Sequence, residues 1–299
     1  MWIMFALLTF VCWGVADLFY KIGNKGDEDN NHLKTGIIVG LVMGIHAIIY
    51  MIVKGLSIDI IDILKYLPVS LLYISSMVIG YKGLKYLELS ISSPVQNTSG
   101  VITALLLLVF FKEHYDFPFY IAVALIFIGI FALSLIEVKE NKSVRIEYKK
   151  NNVKLKVIIY TIVFPLIYCI LDGAGTFLDG IYLDKFELIN EDSALIAYEL
   201  TFLLYSIITY IYLKLKKETF NISFEKPKIF AAIFETIGQF FYVYAMSSNS
   251  TISAPIVGSY CVLSMILSRV FLKEKLSRKE YVSIGIVLVG IFILAVLDI

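Results

Sequence analysis

Long apolar stretches broken by short polar ones dominate the pattern of this chain. Ten stretches can be drawn: 2–20, 33–53, 65–84, 89–111, 117–137, 156–180, 193–213, 228–246, 250–272 and 280–298. Each approaches the roughly 20 mainly apolar residues that a helix needs to cross about 30 Å of hydrocarbon. The pattern therefore predicts an all-α integral membrane protein with ten transmembrane helices. The breaks are short except for the polar stretch VKENKSVRIEYKKNNVKL at 138–155, which is expected to be a solvated loop. It divides the chain into a first unit 1–137, a polar linker 138–155 and a second unit 156–299. The first stretch begins at Met1 with no basic region and no small-residue cleavage site, and it reads as a retained helix rather than a removed signal.

Composition agrees. Of the 299 residues, 59% are hydrophobic and 17% charged, where soluble domains carry about a quarter charged. The net charge of +1 gives no basis for nucleic-acid binding. What matters is where the cations lie. Of the 26 lysines and arginines, 21 fall in the breaks after odd-numbered stretches, and only Lys54, Lys65, Lys112 and Lys185 follow even-numbered ones. By the positive-inside bias this places the odd breaks in the cytoplasm and both termini outside, in a multi-pass protein of the cell membrane.

The chain also repeats itself. Shifted by 161 residues, ISSPVQNTSGVITALLLLVFFKE (91–113) falls on ISAPIVGSYCVLSMILSRVFLKE (252–274), and the match runs on without a gap to 136 and 297. Fourteen of these 46 positions are identical. Pro94 falls on Pro255, Lys112-Glu113 on Lys273-Glu274, Tyr120 on Tyr281 and Gly129-Ile130-Phe131 on Gly290-Ile291-Phe292. Apolar composition alone aligns leucines and isoleucines; it does not align Pro, Lys-Glu, Tyr and Gly together. The unit holds five stretches, an odd number, so the second copy crosses in the opposite sense. Two inverted five-helix repeats are a common construction of secondary transporters. The charge bias agrees, with Lys112-Glu113 outside and Lys273-Glu274 inside.

A proline opening stretch 4 or 9, an apolar helix ending in a Phe-x-x-Glu-like turn and a closing Gly-rich helix resemble the paired repeats of EamA-type transporters in the drug/metabolite transporter superfamily. Trp13-Gly14 near the end of stretch 1 resembles the same family. The resemblance is strongest in stretches 4–5 and 9–10. It implies carriage of small organic solutes by alternating access, through a pocket between the repeats lined by stretches 1, 3, 4, 6, 7, 8 and 9. The motifs mark the fold and leave the substrate open.

Candidate site residues come from polar groups inside the apolar stretches. Asp17, Asp172, Asp179, Glu199 and Glu235 are intramembrane acids, which cost roughly 2.5–3.5 kcal/mol on insertion scales and usually face a cavity. Helical spacing puts Trp13 with Asp17, Tyr168 with Asp172, Gly175 and Asp179, and Glu235 with Gln239 and Tyr242. Tyr198 and Phe202 begin an aromatic stripe beside Glu199. At 1.5 Å per residue, Asp172 and Glu199 fall at one level, about 24 Å and about 9 Å from their helix starts. Asp179 is expected at the outer interface as a solvated helix end, and Asp17 in a helix-end pair with Lys21. Pro94 and Pro255 disturb matching turns, with Gln96, Asn97, Gly100 and Thr103 beside Pro94. The substrate-binding set is Trp13, Gln96, Asn97, Tyr168, Asp172, Tyr198, Glu199, Glu235, Gln239, Tyr242 and Tyr260.

Few basic residues lie within reach of Asp172, Glu199 and Glu235. A carboxylate in that position takes up a proton or holds a cation, and aromatic faces favour an ammonium group. The acids are candidates for a proton-coupling site, for a cationic or zwitterionic substrate, or for both, with neutral metabolites or amino acids as the alternative. Three cysteines and three histidines show no pairing or metal spacing, and no cofactor or metal is expected. No GxxxxGK[ST] loop and no HExxH motif occurs, which argues against ATP-driven pumping and against an enzyme. A membrane enzyme on a lipid carrier, or a channel or sensor, stays as the other class. Expected partners are a small-molecule substrate, the lipid bilayer and a coupling proton, for a monomer or homodimer. At the same 161-residue offset, Glu235 and Gln239 fall on Ile74 and Val78, so the polar chemistry is weighted toward the second half.

Overall fold

The computed structural model describes the backbone of residues 2–24, 30–57, 59–84, 89–112, 114–150, 155–218, 220–222 and 225–296, with side chains outside 89–95 and 137–163. Among these residues the protein is all helical. The helices are α1 (Trp2–Gly23), α2 (Asn31–Lys54), α3 (Ile60–Gly83), α4 (Leu89–Phe111), α5 (Phe117–Lys150), α6 (Leu155–Asp179), α7 (Glu191–Leu215), α8 (Lys226–Gly258), α9 (Tyr260–Leu267) and α10 (Arg278–Val296). A π-turn, Gly180–Lys185, follows α6, and another, Ser268–Leu272, follows α9. Eight of the helical stretches are long and apolar enough to cross a membrane, and Gln96–Phe111 forms a shorter apolar one.

Local sequence explains most ends. Asp59 accepts a hydrogen bond from the Ile61 amide at 2.8 Å and starts α3. Asn190 does the same for Ser193 at 2.8 Å at the head of α7. Both satisfy an amide that the helix itself leaves open. Gly55 takes a left-handed conformation (φ 67°) and ends α2.

One expected loop is helix. The stretch from 138 is not a solvated coil: α5 runs on to Lys150. The residues 138–150 contain no glycine or proline and are rich in Glu, Lys and Arg, all good helix formers, so nothing stops the helix before Asn151-Asn152. Residues 151–154, which complete the expected linker, lie outside the described residues, as do the side chain of Pro94 and all of Glu113.

The stretches drawn as 228–246 and 250–272 form one helical run, Lys226–Leu272, of 47 residues. Its backbone leaves the helix at Asn249 (φ −165°, ψ 93°). The chain folds back there, because the Trp13 ring touches both Tyr242 at 5.0 Å and Tyr260 at 5.7 Å. In a straight helix those two tyrosines would stand about 27 Å apart. Asn249 Oδ1 accepts from the Ile252 amide at 3.1 Å and caps the returning arm. Asp184, in the π-turn after α6, accepts from the amide of Ser250 at 2.8 Å and from its hydroxyl at 2.6 Å.

Packing pairs the helices in a regular way. α1 lies against α8 and α6 against α3; α2 lies against α7; α5 against α10; α4 against α9 and the arm that returns from Asn249. At the α5–α10 crossing, a Cβ added to Gly129 would stand 2.4 Å from Val287 Cγ2 and 3.0 Å from the Ser283 carbonyl. One added to Gly290 would stand 2.7 Å from Ile126 Cγ1 and 2.8 Å from the Ala122 carbonyl. Ser283 and Val287 are the residues 161 positions after Ala122 and Ile126. Only glycine permits this approach from either side. The outer surface is apolar, with Ile52, Val53, Val109, Phe110 and Phe292 all well exposed, as a lipid-facing surface requires.

Candidate functional site

A cavity of about 60 Å³ lies between the helices, lined from α1, α3, α4, α6, α7 and both arms of α8 with the start of α9. That space holds only a few water molecules, so its walls stand close together. Ten of the expected site residues line it: Trp13, Gln96, Asn97, Tyr168, Asp172, Tyr198, Glu235, Gln239, Tyr242 and Tyr260. Asp17, Tyr20, Tyr73, Tyr81, Ser99 and Thr176 complete its polar wall.

Each carboxylate is positioned by a different element. Asp172 on α6 accepts from the Ser99 hydroxyl of α4 at 2.6 Å. Asp17 on α1 accepts from the Ser264 hydroxyl of α9 at 2.8 Å. Asp17, expected in a helix-end pair with Lys21, is also part of the cavity wall, and Lys21 one turn on donates to the Leu84 carbonyl at 2.8 Å. Glu235 on α8 lies beside Trp13, whose indole N–H donates to the Glu235 backbone carbonyl at 3.3 Å. Gly238 makes room for that indole; a Cβ there would meet Trp13 Cδ1 at 2.3 Å.

Two amides of the same wall carry side-chain nitrogens without partners. Gln96 is 7% exposed and Gln239 2% exposed, and the side-chain nitrogen of each makes no hydrogen bond. A buried amide left so costs about 1–3 kcal/mol. The Tyr20 and Tyr81 rings stand 4.6 Å apart in the same wall. The wall thus presents carboxylates and uncommitted amide donors together, among aromatic faces.

The comparisons with known proteins follow this geometry. The family model described as "EamA-like transporter family" matches residues 1–135 and 186–296. The chain belongs to the EamA-like transporter family. It is a multi-pass membrane protein of that family, whose members are transporters. Twenty-eight solved chains resemble it. One crystal structure superposes with a TM-score of 0.66 at 11% identity, covering 98% of this chain and 96% of the other. At that identity the likeness establishes the fold alone. No curated protein matches the chain.

Two expectations for this EamA-family chain are corrected. Glu199 does not join Asp172 at the cavity. It is fully buried and faces α2, where His46 Nδ1 stands 2.8 Å from both of its oxygens. The two side chains leave their helices in different directions. Asp179, expected at a solvated helix end, is 0% exposed. Tyr66 donates to its Oδ1. The hydroxyls of Tyr73 and Tyr242 each lie 2.9 Å from its Oδ2 and 2.8 Å from each other. This cluster ties α3, α6 and α8 together at one end of the cavity, where Tyr73 and Tyr242 are also wall residues. The helix continues into the π-turn beyond Asp179, and that buries what would otherwise be an end. A signal was present: Tyr66, Tyr73 and Gly80 recur at seven-residue spacing on α3. Among the described residues no group of His, Cys, Asp and Glu could hold a metal ion.

Proposed function

We propose that the protein is a secondary transporter that moves a small zwitterionic metabolite across the cell membrane by alternating access. In this reading ten helices form two inverted five-helix repeats, 1–137 and 156–299, with both termini outside and a proton as the coupling ion. The observation that carries the substrate class is the pairing of idle Gln96 and Gln239 amides with the carboxylates of Asp17, Asp172 and Glu235 around one aromatic cavity. Acids alone would suit any ammonium compound. Buried donors without acceptors favour a solute that also brings a carboxylate or carbonyl end, because binding then removes an unmet hydrogen bond. Trp13, Tyr242 and Tyr260 provide faces for its positive end.

Alternating access is supported by the packing. Helices five apart in order make equivalent contacts, and Gly129 and Gly290 meet each other's matching residues. A crossing of that kind lets one half rock on the other about a shared axis. The small size of the cavity fits a state closed around its site, from which the halves separate to admit the solute from either side.

The test is flux in proteoliposomes, with L-amino acids as zwitterionic probes and choline and carboxylic acids as one-ended probes. Saturable uptake and counterflow of a zwitterion, lost in Glu235→Gln and in Gln96→Leu, is the expected result. Equal transport of choline by the native protein and by Gln96→Leu removes the zwitterion reading. Absence of any saturable flux removes the transporter reading.

A further inference from the structure

The His46–Glu199 pair lies outside the cavity, and nothing in the binding of a solute uses it. Its surroundings are particular. α2 and α7 touch along Gly36, Gly40 and Gly44. A Cβ on Gly40 would stand 2.2 Å from the Phe202 carbonyl, and one on Gly44 would stand 2.7 Å from Leu203. Small residues at this spacing let two membrane helices close without a gap. His46 and Glu199 come next along the seam. Glu199 is fully buried, and His46 is about one-third exposed. Helical rise places His46 about 12 Å below Lys54 and Glu199 about 13 Å below Asn190, so the pair sits well inside the apolar thickness.

A polar line leads from the pair to the end of the bundle. His46, Tyr50 and Lys54 share one face of α2 at four-residue spacing. The Tyr50 ring stacks on His46 with centroids 5.8 Å apart, and its hydroxyl donates to Asp192 at 2.6 Å. Tyr244 donates to the same carboxylate at 2.7 Å, and Lys54 stands 3.9 Å from it. Asp192, Tyr244, Lys54 and Glu191 line an open surface hollow. The titratable and charged groups on the elements around the pair are thus Tyr50 and Lys54 on α2, Asp192 and Tyr198 on α7, and Tyr244 on α8. α8 otherwise presents Phe240, and α3 reaches the same turn through Tyr73 against Tyr198.

Resting on the transport reading above, we propose that His46 and Glu199 form the proton-coupling site, separate from the solute cavity and reached from the outer face along Tyr50 and Asp192. The chemistry balances simply. With one shared proton the pair is neutral in either form, which an apolar interior tolerates. When the proton leaves by the Tyr50–Asp192 line, a bare carboxylate remains in the α2–α7 seam, and burying it closed is costly. Closure of the seam therefore requires the proton. The neighbouring residue Tyr198 is a wall of the solute cavity and passes that requirement to it.

The test has two readouts. The chain has three histidines, so ring-nitrogen resonances of labelled protein in nanodiscs resolve His46 by comparison with His46→Gln. His46 should titrate in the native protein, and its midpoint should move in Glu199→Gln. In proteoliposomes with an L-amino-acid mixture as probe, His46→Gln and Glu199→Gln should lose accumulation driven by a pH gradient at least tenfold. Glu199→Gln, which leaves no carboxylate in the seam, should keep counterflow, which needs no net proton; that retention also shows that it folds. Asp192→Asn should slow the driven phase several-fold and leave its final level. Undiminished driven accumulation in both variants, or a His46 that does not titrate, overturns the proposal while the transporter reading stands. Absence of all flux in the native protein overturns both.

Discussion

The α5–α10 crossing and the solute cavity obey different rules. At the crossing, each glycine meets the residues that correspond to those its counterpart meets, and the contact reads the same from either half. Around the cavity the correspondence fails. Thr103 and Ser264 are 161 residues apart, and both donate a side-chain hydroxyl to a neighbouring helix. Thr103 gives it to the Gly173 carbonyl at 3.1 Å and Ser264 to the Asp17 carboxylate at 2.8 Å. Gln96 corresponds to Val257, and Glu235 to Ile74. A backbone crossing needs only shape, and the same shape serves both halves. On the proposed reading a solute with two unlike ends needs unlike walls, and the correspondence gives way around the cavity.

That contrast can be broken by substitution. The largest effect is expected at the crossing: Gly290→Leu should leave little folded protein, since its first carbon already meets Ile126 and the Ala122 carbonyl. Gly129→Ala and Gly290→Ala should each cost about 1–3 kcal/mol, in equal measure, by thermal unfolding in detergent. If one is tolerated and the other is not, the crossing is not reciprocal. Asp179→Asn comes next, at about 2–3 kcal/mol, because hydrogen bonds to a charged group are the strong ones. Leu18, 161 positions earlier, should tolerate methionine at less than about 1.5 kcal/mol. Ser264→Ala should then cost more than Thr103→Val, about 2 against about 1 kcal/mol, since only the first strips a carboxylate of its donor. Smallest as a loss is Gln96→Leu, expected to leave stability unchanged or to raise it, because its amide nitrogen makes no bond that could be lost and its removal relieves an unmet donor. Stabilisation by a zwitterionic probe should nonetheless vanish in that variant.

Much of this was legible from residue order. The apolar runs, the odd–even charge bias and the 161-residue match need only periodicity and composition, and the cavity wall followed because helical spacing groups Tyr168 with Asp172 and Glu235 with Gln239. The reading failed where a helix face had to be given a direction in space. Glu199 and Tyr198 are neighbours in sequence, yet one faces α2 and the other the cavity. Which of them turns inward depends on the glycine seam of α2, where Gly40 meets Phe202 and Gly44 meets Leu203, far along the chain. Asp179 was misplaced because a π-turn carries the chain past it. The stretch after 137 was misread because polarity was taken as coil, although Glu and Lys extend helices readily.

The reversal at Asn249 bears on how the chain is made. Elsewhere a hydrophilic segment separates successive apolar helices, and each can enter the bilayer by itself. Lys226–Leu272 offers no such interval: the turn holds only Ser247, Ser248, Asn249 and Ser250, and Asp184 from another helix holds its amide. The two arms must therefore leave the translocon together, as one hairpin. The hairpin is secured only when the preceding π-turn is already there to receive it, so the order of synthesis is also the order of assembly.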